Sequence, residues 1–172
     1  MGWSFKLHGA LAGSLSAIAV LLGALTFLPG RPVAPGWWRL AVVAAIPLLA
    51  AALVRIMLTR TDRGTRWLAF RCLPGTVQMG LAALLLGGAV LVGLGSSNPL
   101  QDPRIVDSRY YAWESHSRIT REVSRSTYEA VAADQTRLFS LGMPAVMLAA
   151  AAGLVLVAGE LRRDEALTRQ QA

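Results

Sequence analysis

The stretch Pro74–Leu94, PGTVQMGLAALLLGGAVLVGL, contains no charged residue and decides the structural class of this protein. Its length matches the about 20 apolar residues that a helix needs to cross the hydrocarbon core of a bilayer. Lipid offers no hydrogen-bond partners to the backbone, so a single spanning segment must satisfy its peptide groups internally, as a helix does. The sequence therefore predicts a transmembrane helix here.

Three further stretches have the same character, and none contains Asp, Glu or Lys between its ends. Arg55 lies one turn before the end of one of them, where a long arginine side chain can extend to the lipid headgroups. We therefore predict an all-α membrane protein with four transmembrane helices. The predicted helices cover about residues 8–28, 37–58, 74–94 and 140–160, with an outer segment at 95–139 and a tail at 161–172.

The composition supports this class and excludes others. Of the 172 residues, 54% are hydrophobic and only 16% are charged, whereas a soluble domain has about 25% charged residues. A chain this short cannot bury so much apolar surface in one aqueous core, and a disordered chain has few apolar residues. A single cysteine, Cys72, excludes a disulfide scaffold.

The distribution of arginine predicts the orientation. Arginines are concentrated between the second and third helices, where only Asp62 opposes them, and again after the fourth helix. By the positive-inside rule, both termini lie in the cytoplasm and residues 95–139 lie outside the cell membrane. Trp37 and Trp38 then belong to the outer aromatic belt and Trp67 to the inner one. The arginines concerned are Arg60, Arg63, Arg66, Arg71, Arg162, Arg163 and Arg169.

The net charge of +7 does not indicate nucleic-acid binding. The predicted outer segment balances six arginines against six acidic residues, so the excess positive charge belongs to the cytoplasmic parts. Anionic lipid headgroups explain such an excess without a nucleic acid.

The outer segment is predicted to form a small cap made of a hairpin and a helix. Aromatic and β-branched residues alternate with polar ones in 109–114 and 119–123, on either side of a turn at 115–118, which favours a hairpin. Ser126 and Glu129 have the spacing of a capping box, so a helix is predicted to begin at Ser126. A break in this helix is expected near Gly142 and Pro144. Its apolar face is predicted to pack on Tyr111, Trp113 and Ile119.

The run Glu122–Glu129, EVSRSTYE, followed by Arg137-Leu138-Phe139 at the start of a membrane helix, resembles a pattern in small, uncharacterised multi-pass membrane proteins of GC-rich actinobacteria. Abundant Arg and Ala beside almost no Lys fits such a genome. The resemblance covers roughly the last 60 residues. It implies a multi-pass membrane protein and implies no activity or site residue.

Four residues of the outer segment are candidates for binding a partner: Tyr110, Trp113, His116 and Arg118. They combine aromatic and basic side chains around a predicted turn. Contact with a partner protein or a lipid headgroup is one interpretation of His116. The alternatives are a turn residue without a further role and a residue in acid–base chemistry.

Residues that would carry catalysis or transport are sparse. Thiol exchange needs paired cysteines, and an ion-coupled transporter usually keeps an acid inside the membrane. His116 has no second His or Cys in the outer segment with which to bind zinc. The sequence therefore predicts no enzyme, cofactor or metal, and favours an accessory, scaffold or interaction subunit that binds a membrane protein or a second copy. A transporter or channel component is the alternative, based on small residues four apart such as Gly9 and Gly13. A lipid enzyme acting at the outer surface is a second alternative.

Overall fold

A computed structural model describes residues 2–28, 39–59 and 61–171, apart from the side chains of 39–41, 169 and 171. These residues are mostly helical. The helices are α1 Trp3–Leu25, α2 Arg39–Met57, α3 Arg63–Arg71, α4 Gly75–Ser96, α5 Arg125–Gln135 and α6 Met143–Gln171. The strands are β1 Leu100–Val106, β2 Arg109–Glu114 and β3 Ile119–Glu122. A π-helical segment, Thr136–Gly142, joins α5 to α6.

Three helices are long and apolar enough to cross a membrane, as expected of a membrane protein: α1, α4 and the continuous helix Arg125–Thr168. Among the residues with described side chains, α2 contributes a shorter apolar helix, Val42–Met57. The predicted count of four spans is not confirmed. The predicted loop at 29–36 and the tryptophans at 37 and 38 lie outside the described residues.

Helix α6 occupies the centre, and α1, α2 and α4 all pack against it. The side chains on its buried positions are mostly small, which lets neighbouring backbones approach closely. Ser16 Oγ of α1 donates a buried hydrogen bond of 2.8 Å to the carbonyl of Ala145 in α6. The buried alanines of α6 are Ala145, Ala149, Ala151, Ala152 and Ala158.

Gly88 of α4 allows a close approach to this central helix. A Cβ built on Gly88 would lie 2.8 Å from the Val146 side chain and 3.1 Å from the Val146 backbone nitrogen. Gly13 of α1 differs, because nothing lies within 4 Å of a Cβ at that position. Among the regularly spaced small residues, some therefore pack against a neighbouring helix and others face open space.

The two ends of the helical bundle differ in chemistry. At one end, the guanidinium groups of Arg55 and Arg162 both lie over the Phe5 ring, 4.8 Å and 5.3 Å from its centre. Arg55 also donates to the carbonyl of Ser4 at 3.1 Å. We call this end, which includes α3, the basic end. The strands lie at the opposite end of α1, α4 and α6, which we call the sheet end.

Helix α3 is short and begins at a side-chain cap. The Asp62 carboxylate accepts hydrogen bonds from the backbone nitrogens of Gly64 at 2.9 Å and Thr65 at 3.2 Å. A further hydrogen bond from the Thr65 hydroxyl is the largest of the causes that lower the pKa of Asp62. These bonds satisfy backbone donors that have no partner within the first turn, so the carboxylate is occupied in capping.

The strands form one antiparallel sheet in the order β1-β2-β3. The predicted hairpin is present as β2 and β3, but a third strand, β1, joins it and was not predicted. Pro103 lies within this strand, and a proline in a stretch of sequence argues against a strand unless the strand is at an edge or has a bulge. Here β1 is an edge strand and its register shifts between Gln101 and Arg104. Asp107 and Ser108, with φ of 48° and 64°, form the two-residue turn that leads to β2.

The prediction that Ser126 caps the outer helix is wrong. Ser124 has extended backbone angles and its hydroxyl accepts a hydrogen bond from the Thr127 nitrogen at 3.1 Å. Glu129 instead pairs with Arg125 at 2.8 Å. Val123 still bonds to the Tyr110 carbonyl, so the chain passes from the sheet directly into the helix and the cap falls two residues earlier.

The expected break near Pro144 is replaced by the π-helical segment. Proline has no N–H group, so Pro144 cannot donate to a carbonyl in the preceding turn, and a π-helical turn can absorb such an irregularity. Gly142 ends this segment against α4, where a Cβ would lie 2.9 Å from the Val92 backbone nitrogen. The helix therefore continues without interruption from the sheet end into the bundle.

Alanine substitutions at two glycines of α4 test this packing. A Cβ at Gly95 would lie 2.7 Å from the Asp134 carbonyl oxygen and 2.8 Å from the Leu138 nitrogen, whereas a Cβ at Gly93 meets nothing within 4 Å. We expect Gly95→Ala to lower the free energy of unfolding by about 1–3 kcal/mol. Gly93→Ala should leave it unchanged or raise it by up to about 1 kcal/mol. Unfolding in mixed detergent micelles, followed by circular dichroism, measures both, and equal losses would contradict this packing.

Candidate functional site

Strand β2 carries two of the predicted partner-binding residues, and they lie on opposite faces of the sheet. Successive side chains of a strand alternate between the two faces, so Tyr110 and Trp113 point in opposite directions. The Tyr110 ring lies 5.1 Å from the ring of Tyr128 in α5. Tyr110 therefore belongs to the contact between sheet and helix, while Trp113 faces away from α5.

His116 and Arg118 lie in the turn between β2 and β3, and both are exposed. The Arg118 nitrogen donates to the Glu114 carbonyl at 2.8 Å, and Arg118 has a left-handed φ of 56°. Ser117 Oγ donates to the Glu114 carboxylate at 2.8 Å. The turn therefore presents an imidazole and a guanidinium group to the surroundings.

The helix covers the sheet through residues other than those predicted. Val131 of α5 is fully buried against Ala112 of β2 and Leu100 of β1. Ile119, which was predicted to pack on α5, is 56% exposed. The prediction that Tyr111, Trp113 and Ile119 form this contact is therefore wrong, because the alternation that turns Ala112 toward the helix turns Tyr111 and Trp113 away from it.

The face of the sheet that points away from α5 combines aromatic and polar residues. Tyr111 and Trp113 lie at its centre and are partly exposed. Their cross-strand partners lie on the same face because paired residues of neighbouring strands do so. We call this surface the aromatic face. Its members are Tyr111, Trp113, Gln101, Arg104, Thr120 and Glu122.

The edges of the sheet are poor templates for another strand. β1 is interrupted by a bulge at Pro103 and by an exposed ion pair between Asp102 and Arg104. β3 is only four residues long and includes the charged residues Arg121 and Glu122. Short, charged and bulged edges discourage strand pairing between molecules. A partner would therefore contact the aromatic face or the turn rather than extend the sheet.

A network of hydrogen bonds and one ion pair connects the sheet end to the end of α1. Arg137, in the π-helical segment, donates to the Thr26 carbonyl at 3.0 Å and to the Thr26 hydroxyl at 2.9 Å. The same guanidinium group pairs with Asp134 at 2.8 Å and lies 4.3 Å above the centre of the Phe27 ring. Asp134 in turn accepts from the amide of Asn98 at 3.0 Å. We call these five residues the Arg137 network.

The Arg137 network joins elements that are far apart in the sequence. Thr26 follows the last turn of α1, where the unpaired carbonyls of a helix favour a positive charge. The Asn98 side chain also accepts from the Leu100 nitrogen at 3.0 Å, at the start of β1. The side chains of Arg137 and Asp134 are only 17% and 21% exposed. The network therefore holds α1, the π-helical segment and the first strand in one arrangement.

Sequence reasoning missed this network. The spacing of Asp134 and Arg137, three residues apart on a helix, was available as a signal of an ion pair. The partner Thr26 lies 111 residues away in the sequence, and no local pattern indicates that contact.

The described residues include no group of three His, Cys, Asp or Glu side chains that could hold a metal ion. Cys72 is a free, exposed thiol at the end of α3.

No known protein family, curated protein or solved structure matches this chain. The resemblance to multi-pass proteins of actinobacteria therefore stays a prediction.

Replacing Arg137 tests whether the network holds the sheet end in place. Arg137→Gln leaves the Asp134 carboxylate without its ion pair and the Thr26 carbonyl without a donor, in a partly buried site. We expect this variant to lower the free energy of unfolding by about 2–4 kcal/mol and to speed hydrogen exchange of the amides in β1 and β2.

The matched control is Arg125→Gln, which breaks an exposed ion pair on the same continuous helix. We expect it to cost at most about 0.5 kcal/mol. Unfolding in detergent and hydrogen exchange measured by mass spectrometry compare the two variants. If exchange of the strands is the same in both, the Arg137 network does not hold the sheet.

Proposed function

We propose that this chain is a non-enzymatic, multi-pass protein of the cell membrane that presents its sheet outside the cell to a membrane or envelope partner. The observation that supports this most directly is the aromatic face, where Tyr111 and Trp113 lie on the side of the sheet opposite α5. Aromatic side chains surrounded by polar ones are typical of the centres of protein interfaces.

The attachment of the sheet supports the same proposal. A contact surface that is already ordered loses less conformational entropy when it binds. The Arg137 network and the buried contact of Val131 with Ala112 both order this sheet before any partner arrives. The protein is therefore an accessory or scaffold subunit, with His116 and Arg118 as additional contacts at the turn.

The proposed topology has four spans, with α2 as the second and both termini in the cytoplasm. Its support is the separation of charge in the fold, because the arginines of α3 lie at the end opposite the sheet. Basic residues beside spanning helices favour the cytoplasmic side. Residues 95–139 then lie outside the membrane, together with the aromatic face.

Labelling of single thiols in intact cells tests this topology. The exposed thiol of Cys72 should not react with a membrane-impermeant maleimide until the cells are permeabilised. In a Cys72→Ser background, Ser117→Cys places the thiol in the exposed turn between β2 and β3 and should react in intact cells. The reverse pattern would place the sheet in the cytoplasm and overturn the proposal.

Photocrosslinking in cells tests the aromatic face. A photoreactive phenylalanine at Trp113 should give a discrete adduct with one protein, and Tyr111→Ala should reduce its yield at least fivefold, since hot-spot residues cost more than about 1 kcal/mol when truncated.

The control position is Ile119, which is exposed on the other face of the sheet. The same photoreactive residue at Ile119 should give little of this adduct. Equal products at both positions, or lipid adducts alone at Trp113, would contradict a protein partner on the aromatic face.

A further inference from the structure

A groove lies at the basic end of the bundle, between α2, α3, α4 and α6. Its volume is about 530 Å³, within the roughly 300–1,000 Å³ of small-molecule sites. Its walls are mostly apolar, with Gly153 of α6 on one side and Leu81 and Leu85 of α4 on another. Helix α3 closes it at one end with Arg63, Arg66 and Trp67.

The arginines of this groove are not neutralised by the described residues. No ion pair or side-chain hydrogen bond joins Arg63 or Arg66 to any residue within 2–28, 39–59 and 61–171. The Nε atom of Arg66 is buried and donates to no acceptor there. Asp62, the nearest acid in the sequence, uses its carboxylate to cap α3. A buried polar group without a partner needs an explanation.

We propose that this groove binds one anionic phospholipid, with an acyl chain along the apolar walls and the phosphate at Arg63 and Arg66. The guanidinium fork binds phosphate oxygens through paired hydrogen bonds, which would satisfy the buried Arg66 donor. Trp67 lies beside these arginines, and tryptophan is typical of the level of the headgroups. The apolar walls of the groove therefore match the acyl chain of a phospholipid, and the arginines at its end match the phosphate.

The size of the groove favours a lipid chain over a helix of a partner protein. A helix with its side chains is about 10 Å wide and rises about 5.4 Å per turn. A volume of about 530 Å³ therefore holds little more than one turn, which cannot anchor a spanning helix. A free phosphate ion would leave the apolar walls without a ligand.

The phosphate contact, rather than the acyl chain, provides the selectivity. Lipid tails in the bilayer are as apolar as leucine, so moving one into the groove gains no hydrophobic free energy. The attraction between an anionic headgroup and each nearby arginine is about 1 kcal/mol, or about fivefold in affinity. The site is therefore expected to prefer an anionic lipid to a zwitterionic one of the same chain length.

Electron paramagnetic resonance of spin-labelled lipids measures this preference. The full chain is placed in phosphatidylcholine nanodiscs that contain a trace of spin-labelled phosphatidylglycerol or spin-labelled phosphatidylcholine. The motionally restricted fraction gives the relative affinity. We expect phosphatidylglycerol to be preferred and the preference to fall about fivefold in Arg66→Gln and similarly in Arg63→Gln.

Two matched controls separate the groove from general surface charge. Arg71→Gln removes the same charge from α3 outside the groove and should keep most of the preference. Gly153→Leu fills the groove without changing the charge and should lower the preference as Arg66→Gln does. Gly13→Leu makes the same change where the side chain meets open space and should have no effect.

Two results would overturn the proposal. Equal losses in Arg71→Gln and Arg66→Gln would mean that diffuse charge attracts the lipid. An unchanged preference in Gly153→Leu would mean that the groove takes no part. This lipid site is independent of the aromatic face, since none of these substitutions lies in or beside the sheet.

Discussion

α1, α2 and α4 each pack against α6, and the rest of the structure depends on how closely they approach it. Buried alanines on α6 and Gly88 on α4 bring the backbones together, so the helices gain van der Waals contact where lipid cannot enter. Dispersion and hydrogen bonds drive such association in a bilayer, because lipid tails compete equally for apolar surface. The bond from Ser16 to the Ala145 carbonyl is one example of the second kind.

The same central helix also carries the sheet. Because α5, the π-helical segment and α6 are continuous, one helix links the sheet to the bundle, and contacts with α1 and α4 hold that helix laterally. Arg137 provides the contact with the end of α1. The two proposed sites lie at opposite ends of the bundle. The aromatic face is the proposed partner surface at the sheet end, and the groove is the proposed lipid site at the basic end.

Much of the fold follows from local patterns, and what was missed depends on distant contacts. The apolar stretches appear as α1, α4 and α6, and the alternation in 109–114 appears as β2. β1 was missed because Pro103 argues against a strand, although an edge bulge accommodates it. The cap at Ser124 and the contact of Arg137 with Thr26 depend on where the sheet ends and where α1 ends. No short window of the sequence contains that information.

The sequence indicates which residues belong to the candidate site, but not which face of the sheet each of them occupies. Residues around the 115–118 turn were identified from their aromatic and basic character, and the structure leaves His116 and Arg118 exposed. The partition of Tyr110 and Trp113 between two faces depends on which side α5 covers. The side chain of Ala112 is the one fully buried side chain of β2 and faces Val131 of α5. It therefore identifies the face of the sheet that α5 covers.

Lipid, rather than water, is expected to surround the exposed apolar side chains of the bundle. Nitroxide labels at Leu21, Met79 and Leu86, which are 64%, 68% and 67% exposed, test it in membranes through collisions with molecular oxygen and with a water-soluble nickel chelate. We expect frequent collisions with oxygen and rare ones with nickel at all three positions, and the opposite at Ser117. Nickel collisions at Leu86 as frequent as at Ser117 would mean that water, not lipid, surrounds the bundle.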